Sequence, residues 1–443
     1  MKATAIAAAT AATLMLTSCL SPSSGAAPRN VVRLPAVNAE INYFSSFDID
    51  DPFAIVIAGA IAEYEATSGN RVNIIWSGAE SSEEIHSRLS GGLRVDIWDG
   101  DLQRQLETNS QFMLDLTNFY SQQYALLGNQ PMTQIINPFL LNFVTQMSRR
   151  YAPEDAPYAL LAVPFAQYNV AFVYNQAYFA QAGITNTPRT WQDLSTLSET
   201  LRARGFMPLS SQMRPYLAYG YYLARTMGTD WVEELMHTPS MWTDPAVFRM
   251  AQTFGQMASG GYLSRHEDRA NPGPFALLND RVAMWLMCTS GIRDLAAAHP
   301  GATFGAFNFP YIEGQRSDLD PLVPDLPDGQ VSAMYGSRGF FIFADSPYAG
   351  YAFEMIVTIM SPSFDQQLAL ETLGIPFAAD IPWPAEIRGI EQSFREIGAW
   401  IPYGGGTLVN PYTRQRANEQ FRRLLQDRMP AREFINTMMQ DET

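Results

Sequence analysis

The chain has 443 residues, too many for one compact core and enough for two domains of roughly 150–250 residues each. Hydrophobic residues make up 47%, which rules out wholesale disorder, while charged residues reach only 16% against about 25% in an ordinary globular protein. With 29 Lys+Arg against 44 Asp+Glu the net charge is −15, a balance that repels phosphate backbones and argues against a nucleic-acid partner.

The chain opens on an address. Lys2 is the only cation before an uncharged apolar run over 5–16, which is shorter than the ~20 residues a spanning helix needs. Residues 1–18 read as a lipoprotein signal peptide and 19–36, rich in Ser, Pro, Gly and Ala, as a flexible tether. Leu16-Thr17-Ser18-Cys19 resembles a bacterial lipobox, which implies that Cys19 becomes the new N-terminus and carries acyl chains. Cys288 is the only other cysteine, so an exported chain has no disulfide framework. Its neighbours over 283–287 are apolar and point to a buried, inert thiol. No later apolar run reaches 18 residues, so the mature chain is expected to be a soluble body on a lipid leash.

The first lobe follows. Ile41, Tyr43 and Phe44 mark a strand over 40–44, closed by the polar loop 45–48. Asp50 or Asp51 caps a helix with Pro52 in its first turn and Gly69 at its end. A second strand spans 71–76. Ser81-Ser82-Glu83-Glu84 matches a capping box, and that helix stops at Gly91-Gly92. A third strand spans 95–98. This β-α-β-α-β order predicts a parallel, doubly wound sheet, in which ligands bind beyond the carboxyl ends of the strands. Those ends are 45–48, 76–80 and 98–101, where hydroxyls and carboxylates meet aromatic side chains. They yield the candidate ligand contacts Phe47, Asp48, Ser77, Glu80, Trp98, Asp99 and Asp101. Trp98 ranks first among them, as a stacking platform at the strand mouth. Trp98 and Asp99 face the cleft together only if the strand ends at Trp98, because successive strand residues point to opposite sides. The alternative packs Trp98 against a helix under the sheet.

Two apolar stretches lie over 162–175 around Gln167-Tyr168-Asn169. Thr190 to Asp193 starts a helix that runs to Gly205, and Thr243-Asp244-Pro245 starts one that ends at Gly260-Gly261. A strand over 303–310, a long Pro/Asp/Gly loop over 311–330, a strand over 339–344 and a helix over 348–360 come next. The tail, 414–439, is helical in period, with Phe421, Leu424, Leu425, Phe434 and Met438 as apolar markers.

The order of these phrases resembles the extracellular solute-binding proteins of bacterial ABC importers, family 1, whose best-known members bind sugars. Ile61-Ala62-Glu63-Tyr64-Glu65, Gly69 and Val72-Asn73-Ile74 are similar to that family's first helix and second strand. Asp96-Ile97-Trp98 after Gly91-Gly92, Val163-Pro164-Phe165 to Tyr174-Asn175, and Phe179, Gly183-Ile184, Pro188 and Thr190-Trp191 are similar to later phrases. So are Ala283-Met284, Phe304-Gly305, Pro310 and Gly336 to Ile342. Many sugar binders follow Ala-Met with a glycine and a tryptophan; this chain has Cys288-Thr289-Ser290-Gly291-Ile292 instead. The resemblance implies an α/β fold of the type II periplasmic-binding-protein kind, two doubly wound lobes joined by a hinge. It divides the chain into 37–157 plus 303–345 for lobe 1 and 158–302 plus 346–443 for lobe 2. The phrases that carry the resemblance add Tyr168, Ser290, Gly336, Ser337 and Arg338 as ligand contacts, and Trp383 joins them as an aromatic in a Pro-rich loop. The resemblance implies a lipid-anchored monomer in the cell envelope that closes on a carbohydrate and delivers it to permease subunits, without a cofactor. A polyamine or another small polar solute is the alternative ligand, since carboxylates and aromatic rings also suit a cation.

Enzyme chemistry finds little support. His86, His237, His266 and His299 have no metal-type spacing, and there is no G-x-S-x-G elbow, P-loop or G-x-G-x-x-G. Asp99 and Asp101 are the only pair that suggests a glycoside hydrolase, and i, i+2 carboxylates do not by themselves define that geometry. Arg293 and Arg338 read as surface or lobe-packing charges; in the glycine loop, Arg338 also suits an acidic ligand.

Overall fold

The computed structural model describes residues 38–78, 81–154, 156–165, 168–211, 213, 215–264, 281–312, 332–335, 338–391, 400–402 and 411–440. Cys19 and the signal lie outside the described residues, as do Glu80, Gly336, Ser337 and His266.

The first βαβαβ unit forms as its punctuation predicts. Strand β1 (Glu40–Ser45) leads into α1 (Pro52–Ser68), β2 (Arg71–Trp76), α2 (Ser81–Ser90), β3 (Ile97–Asp101) and α3 (Leu102–Asn109). The Asp51 carboxylate caps α1 by accepting the Phe53 N–H at 2.9 Å, and Gly69 ends the helix in the left-handed region at φ 75°. Both β2 and β3 run parallel to β1. At the head of β3, Asp96 accepts the Asn42 N–H at 2.8 Å and the Ser346 hydroxyl at 2.6 Å, tying the first strands to the returning chain.

Helices α4 (Thr117–Ser121), α5 (Met132–Ile135) and α6 (Pro138–Tyr151) and the short hairpin β4 (Gln123–Tyr124) and β5 (Gln130–Pro131) complete this side. Strand β6 (Val163–Phe165) follows, and β7 (Tyr168–Asn175) begins only two residues after it, in a different sheet.

The second sheet is built around β7. After α7 (Gln176–Ala182) and α8 (Trp191–Ala203) come β8 (Met207–Leu209), α9 (Pro215–Met227), α10 (Thr229–His237), α11 (Pro245–Ser259) and β9 (Val282–Cys288). The Thr190 and Asp193 side chains form the capping box of α8 in both directions. Then come α12 (Ile292–Ala298), β10 (Phe304–Asn308), β11 (Ser332–Tyr335) and β12 (Arg338–Ile342). Strand β10 pairs antiparallel with β7, so it belongs to the second sheet. Strand β12 pairs antiparallel with β3 and β6 in the first. The chain closes with α13 (Ala349–Ile359), α14 (Pro362–Thr372), β13 (Trp400–Pro402), α15 (Pro411–Leu425) and α16 (Ala431–Met439). The sheet orders are β2-β1-β3-β12-β6 and β13-β11-β7-β9-β8.

These pairings correct the division read from the sequence. Residues 163–165 join the first sheet, 304–308 and 332–335 serve the second, and α13 and α14 pack with α1 in the first core. The tail helices do lie in the second lobe, with Phe421, Leu424, Leu425, Phe434 and Met438 all in its core. Strand partners are set by long-range pairing, which local patterning does not encode.

The segments that flank the two crossings are paired in both sheets. Phe165 opposes Arg338 in the first sheet and Tyr168 opposes Tyr335 in the second, so the same antiparallel register holds on either side of 166–167 and 336–337. An equal pair of residues, 166–167 and 336–337, separates the sheets on each strand. Elsewhere Arg293 of α12 donates to the Leu370 carbonyl at 2.6 Å and pairs with Glu371 at 2.9 Å, joining the second lobe to α14. Its lobe-packing role follows from that contact. Among the described residues no helix is long and apolar enough to cross a membrane.

Candidate functional site

The carboxyl edge of the first sheet faces the crossings. Ser45, Trp76, Asp101, Arg338 and Phe165 all end or begin their strands there. On the second sheet, Tyr168 opens β7, Tyr335 closes β11, Leu209 closes β8 and Ser290 follows β9 in a single tight turn. The two edges therefore flank the same pair of crossings.

Strand β3 continues to Asp101, and this decides the fate of its side chains. Trp98 falls on the face beneath α3 and is 0% exposed. It stacks on Phe341 with centroids 5.5 Å apart and donates its indole N–H to Gln105 Oε1 at 3.0 Å. The expectation that Trp98 is the stacking platform is thus corrected; it is a core residue of the first lobe.

Asp99 points to the opposite face and is 1% exposed. It accepts the Tyr43 hydroxyl at 2.5 Å, the Ser46 N–H at 3.2 Å and the Ser46 hydroxyl, and lies 3.5 Å from Arg338 Nη1. Arg338 also donates to the Ser46 hydroxyl. Burial first, then the Asp99 carboxylate, push the Tyr43 hydroxyl well above its usual pKa and keep it a donor. Asp99 is consumed by this network, so it acts as the anchor that sets the loop after β1 rather than as a ligand contact. The Asp99–Asp101 pair is not arranged for hydrolysis either. Asp101 caps α3 by accepting the Arg104 N–H at 2.9 Å, and burial raises its pKa.

Arg338 is the half-exposed member of the network. Its guanidinium lies 4.2 Å over the Phe47 ring, so Phe47 is buried beneath it rather than open to a ligand. Asp48 is exposed beside it. Gly78, at φ 73°, comes so close to Asp48 that a Cβ there would stand 2.7 Å from its Oδ1. Ser77 is half-buried and donates to the Ser45 carbonyl at 2.7 Å.

Trp76 was missing from the sequence-derived contacts. It ends β2 half-buried, edge-on to Tyr43 at 6.3 Å, on the Asp99 side of the sheet. Its place at a strand's carboxyl end was visible in the sequence, but its side was not. Trp383 is corrected in the other sense: it is 5% exposed, packed 6.3 Å from Phe139 in the first core, although its loop is rich in proline. Tyr168 starts β7 at the edge, and Ser290 is half-buried there. Cys288, expected to be buried, is half-buried at the end of β9. Among the described residues no group of three or more His, Cys, Asp or Glu is placed to hold a metal.

Comparison with known proteins bears on what these edges serve. The chain is similar in fold to the binding protein msme of Bacillus subtilis in an open conformation, with TM-score 0.68, 14% identity, and 92% of this chain and 97% of that one covered. It is likewise similar to a sugar transporter protein of Bacillus licheniformis in complex with stachyose (TM-score 0.61, 15% identity, 90% and 98% covered). A third similar structure is a cyclic alpha-maltosyl-1,6-maltose binding protein from Arthrobacter globiformis (TM-score 0.59, 14% identity, 91% and 97% covered). A search of the curated proteins gives no match. The family model described as bacterial extracellular solute-binding protein matches residues 48–363, well over half of the chain. Two α/β sheets bridged by paired crossings, with polar and aromatic side chains on their facing edges, are what such a protein requires, and the chain belongs to the bacterial extracellular solute-binding proteins.

Proposed function

We propose that this protein captures a carbohydrate between the two sheet edges and delivers it to the permease subunits of an ABC importer. The observation that carries the reading is the first-lobe edge itself. Trp76 offers a ring to the C–H face of a sugar, while Asp48, Ser77, Asp101 and the open side of Arg338 offer acceptors and donors to its hydroxyls. Tyr168, Ser290, Glu80, Gly336 and Ser337 complete the proposed contacts. The sugar ligands named for similar structures, stachyose among them, support the same class.

The mature protein is proposed to be a monomer held to the cell envelope by acyl chains on Cys19, binding without chemical turnover. Melting of the tether-free domain against panels of oligosaccharides, polyamines and amino acids tests the ligand class. A ligand at about 100 times its Kd adds ~2.7 kcal/mol of stability. Stabilisation by spermidine but by no sugar would replace carbohydrate with a cation, a reading favoured by the Asp48, Asp51 and Asp101 carboxylates on the first-lobe edge. Detergent-phase partitioning that survives Cys19→Ala would remove the anchor from the proposal.

A further inference from the structure

The second lobe buries a charge that the solute-binding reading does not use. Arg225 lies in the last turn of α9 and is 2% exposed. Its Nε, Nη1 and Nη2 are each buried without a hydrogen-bond partner. The guanidinium stands 5.5 Å over the Phe309 ring, which packs in turn on Phe172, Trp191 and Tyr221. A ring attracts the cation from one face only, whereas the five N–H donors lie in the guanidinium plane and call for acceptors there.

Burial lowers the pKa of Arg225 to about 9, which still leaves it charged at neutral pH. An isolated buried cation is costly in a low-dielectric interior, and such charges persist in proteins when they are paired. The carbonyl end of α9 offers a favourable field but no acceptor in contact. None of the described residues supplies an acceptor to the guanidinium, which leaves its in-plane donors open to an anion from solution.

We propose that Arg225 holds a small monovalent anion, chloride or one of like size, inside the second lobe. A compact, singly charged ion matches the single charge of the guanidinium in so apolar a setting. A sulfate or phosphate would bring a second charge and more oxygens than one guanidinium can satisfy. Arg225 lies ten residues along α9 from Pro215, about 15 Å at 1.5 Å per residue, away from the end that follows β8 at the interlobe edge. Occupancy is accordingly expected to act on the stability of the lobe and to leave solute affinity unchanged.

The test is a melting series of the purified protein in sodium chloride and sodium bromide against sodium gluconate at constant ionic strength, for wild type and Arg225→Met. A saturable halide-dependent rise in wild-type melting temperature, absent from Arg225→Met, is the expected result. An anomalous bromide peak in contact with the guanidinium in soaked crystals is expected with it. Should Arg225→Met fail to fold, the wild-type titration and the bromide peak decide the matter by themselves. Wild-type melting that ignores halide, an equal halide effect in both proteins, or bromide-soaked crystals with no peak at Arg225 would each overturn the proposal.

Discussion

Two tryptophans of the first sheet, Trp98 within β3 and Trp76 at the end of β2, have opposite fates, and the difference is measurable. Trp98 is fully buried, stacked on Phe341 and bonded to Gln105. Trp98→Ala is expected to lower apo stability by ~3–5 kcal/mol, with solute affinity unchanged in whatever remains folded. Trp76 is half-buried at the proposed contact edge. Trp76→Ala is expected to weaken solute binding by ~1–3 kcal/mol, roughly 10- to 150-fold, with a much smaller loss of stability. Apo melting and ligand titration on both variants check the pair, and the reverse pattern would exchange their roles. Asp365 of α14 gives a pH prediction. It is buried and accepts the Phe377 and Ala378 N–H groups at 2.8 and 2.7 Å, yet burial outweighs these bonds and raises its pKa from 3.8 to about 7. The folded value lies above the unfolded one. Its contribution to stability is therefore whole below pH ~4 and lost as the pH rises through about 7. The melting-temperature difference between wild type and Asp365→Asn is expected to move in the variant's favour from pH 5 to pH 8; a difference independent of pH would refute it.

Helix ends were the most legible elements, because a cap is a contact between residues two or three apart. Asp51 with Pro52, the Thr190–Asp193 box and Asp244 with Pro245 all cap their helices where the sequence indicates. Asp51→Ala is expected to cost ~1 kcal/mol in urea denaturation while Asp51→Asn stays close to wild type, since an amide oxygen also accepts the Phe53 N–H. Equal losses in both variants would point to the carboxylate charge instead. The strands were legible as runs and not as faces. The sequence pattern places β3 at 95–98, whereas it spans Ile97–Asp101. Moving its end by three residues carries Asp99 through the strand, and period-two alternation then sends it to the face opposite Trp98.

At the scale of the molecule, the segments that flank the two crossings share one antiparallel register in both sheets, an arrangement that suits a hinge under the proposed function. Under the proposed function, solution scattering is expected to give a smaller radius of gyration with bound sugar, and the sugar is expected to be recovered intact. An unchanged radius with saturating ligand would show that the lobes do not close. The exposed Arg293–Glu371 pair between α12 and α14 contributes little to this equilibrium, ~0–1 kcal/mol, because water screens it.

The sequence by itself determined the order of the first βαβαβ unit, the helix caps at Asp51, Thr190 and Asp244, the α/β class and the edge of the first sheet at which the candidate site lies. Each of these depends on residues close together in the chain. The tertiary structure alone decided that β10 joins the second sheet, that α13 and α14 return to the first core, and that Trp76 rather than Trp98 stands at the edge. It also decided that Asp99 is spent on Tyr43, Ser46 and Arg338, and that Arg225 is buried without a partner. Those outcomes rest on pairings between residues tens to hundreds of positions apart. Their energies come from burial and register, which exist only once the sheets have assembled.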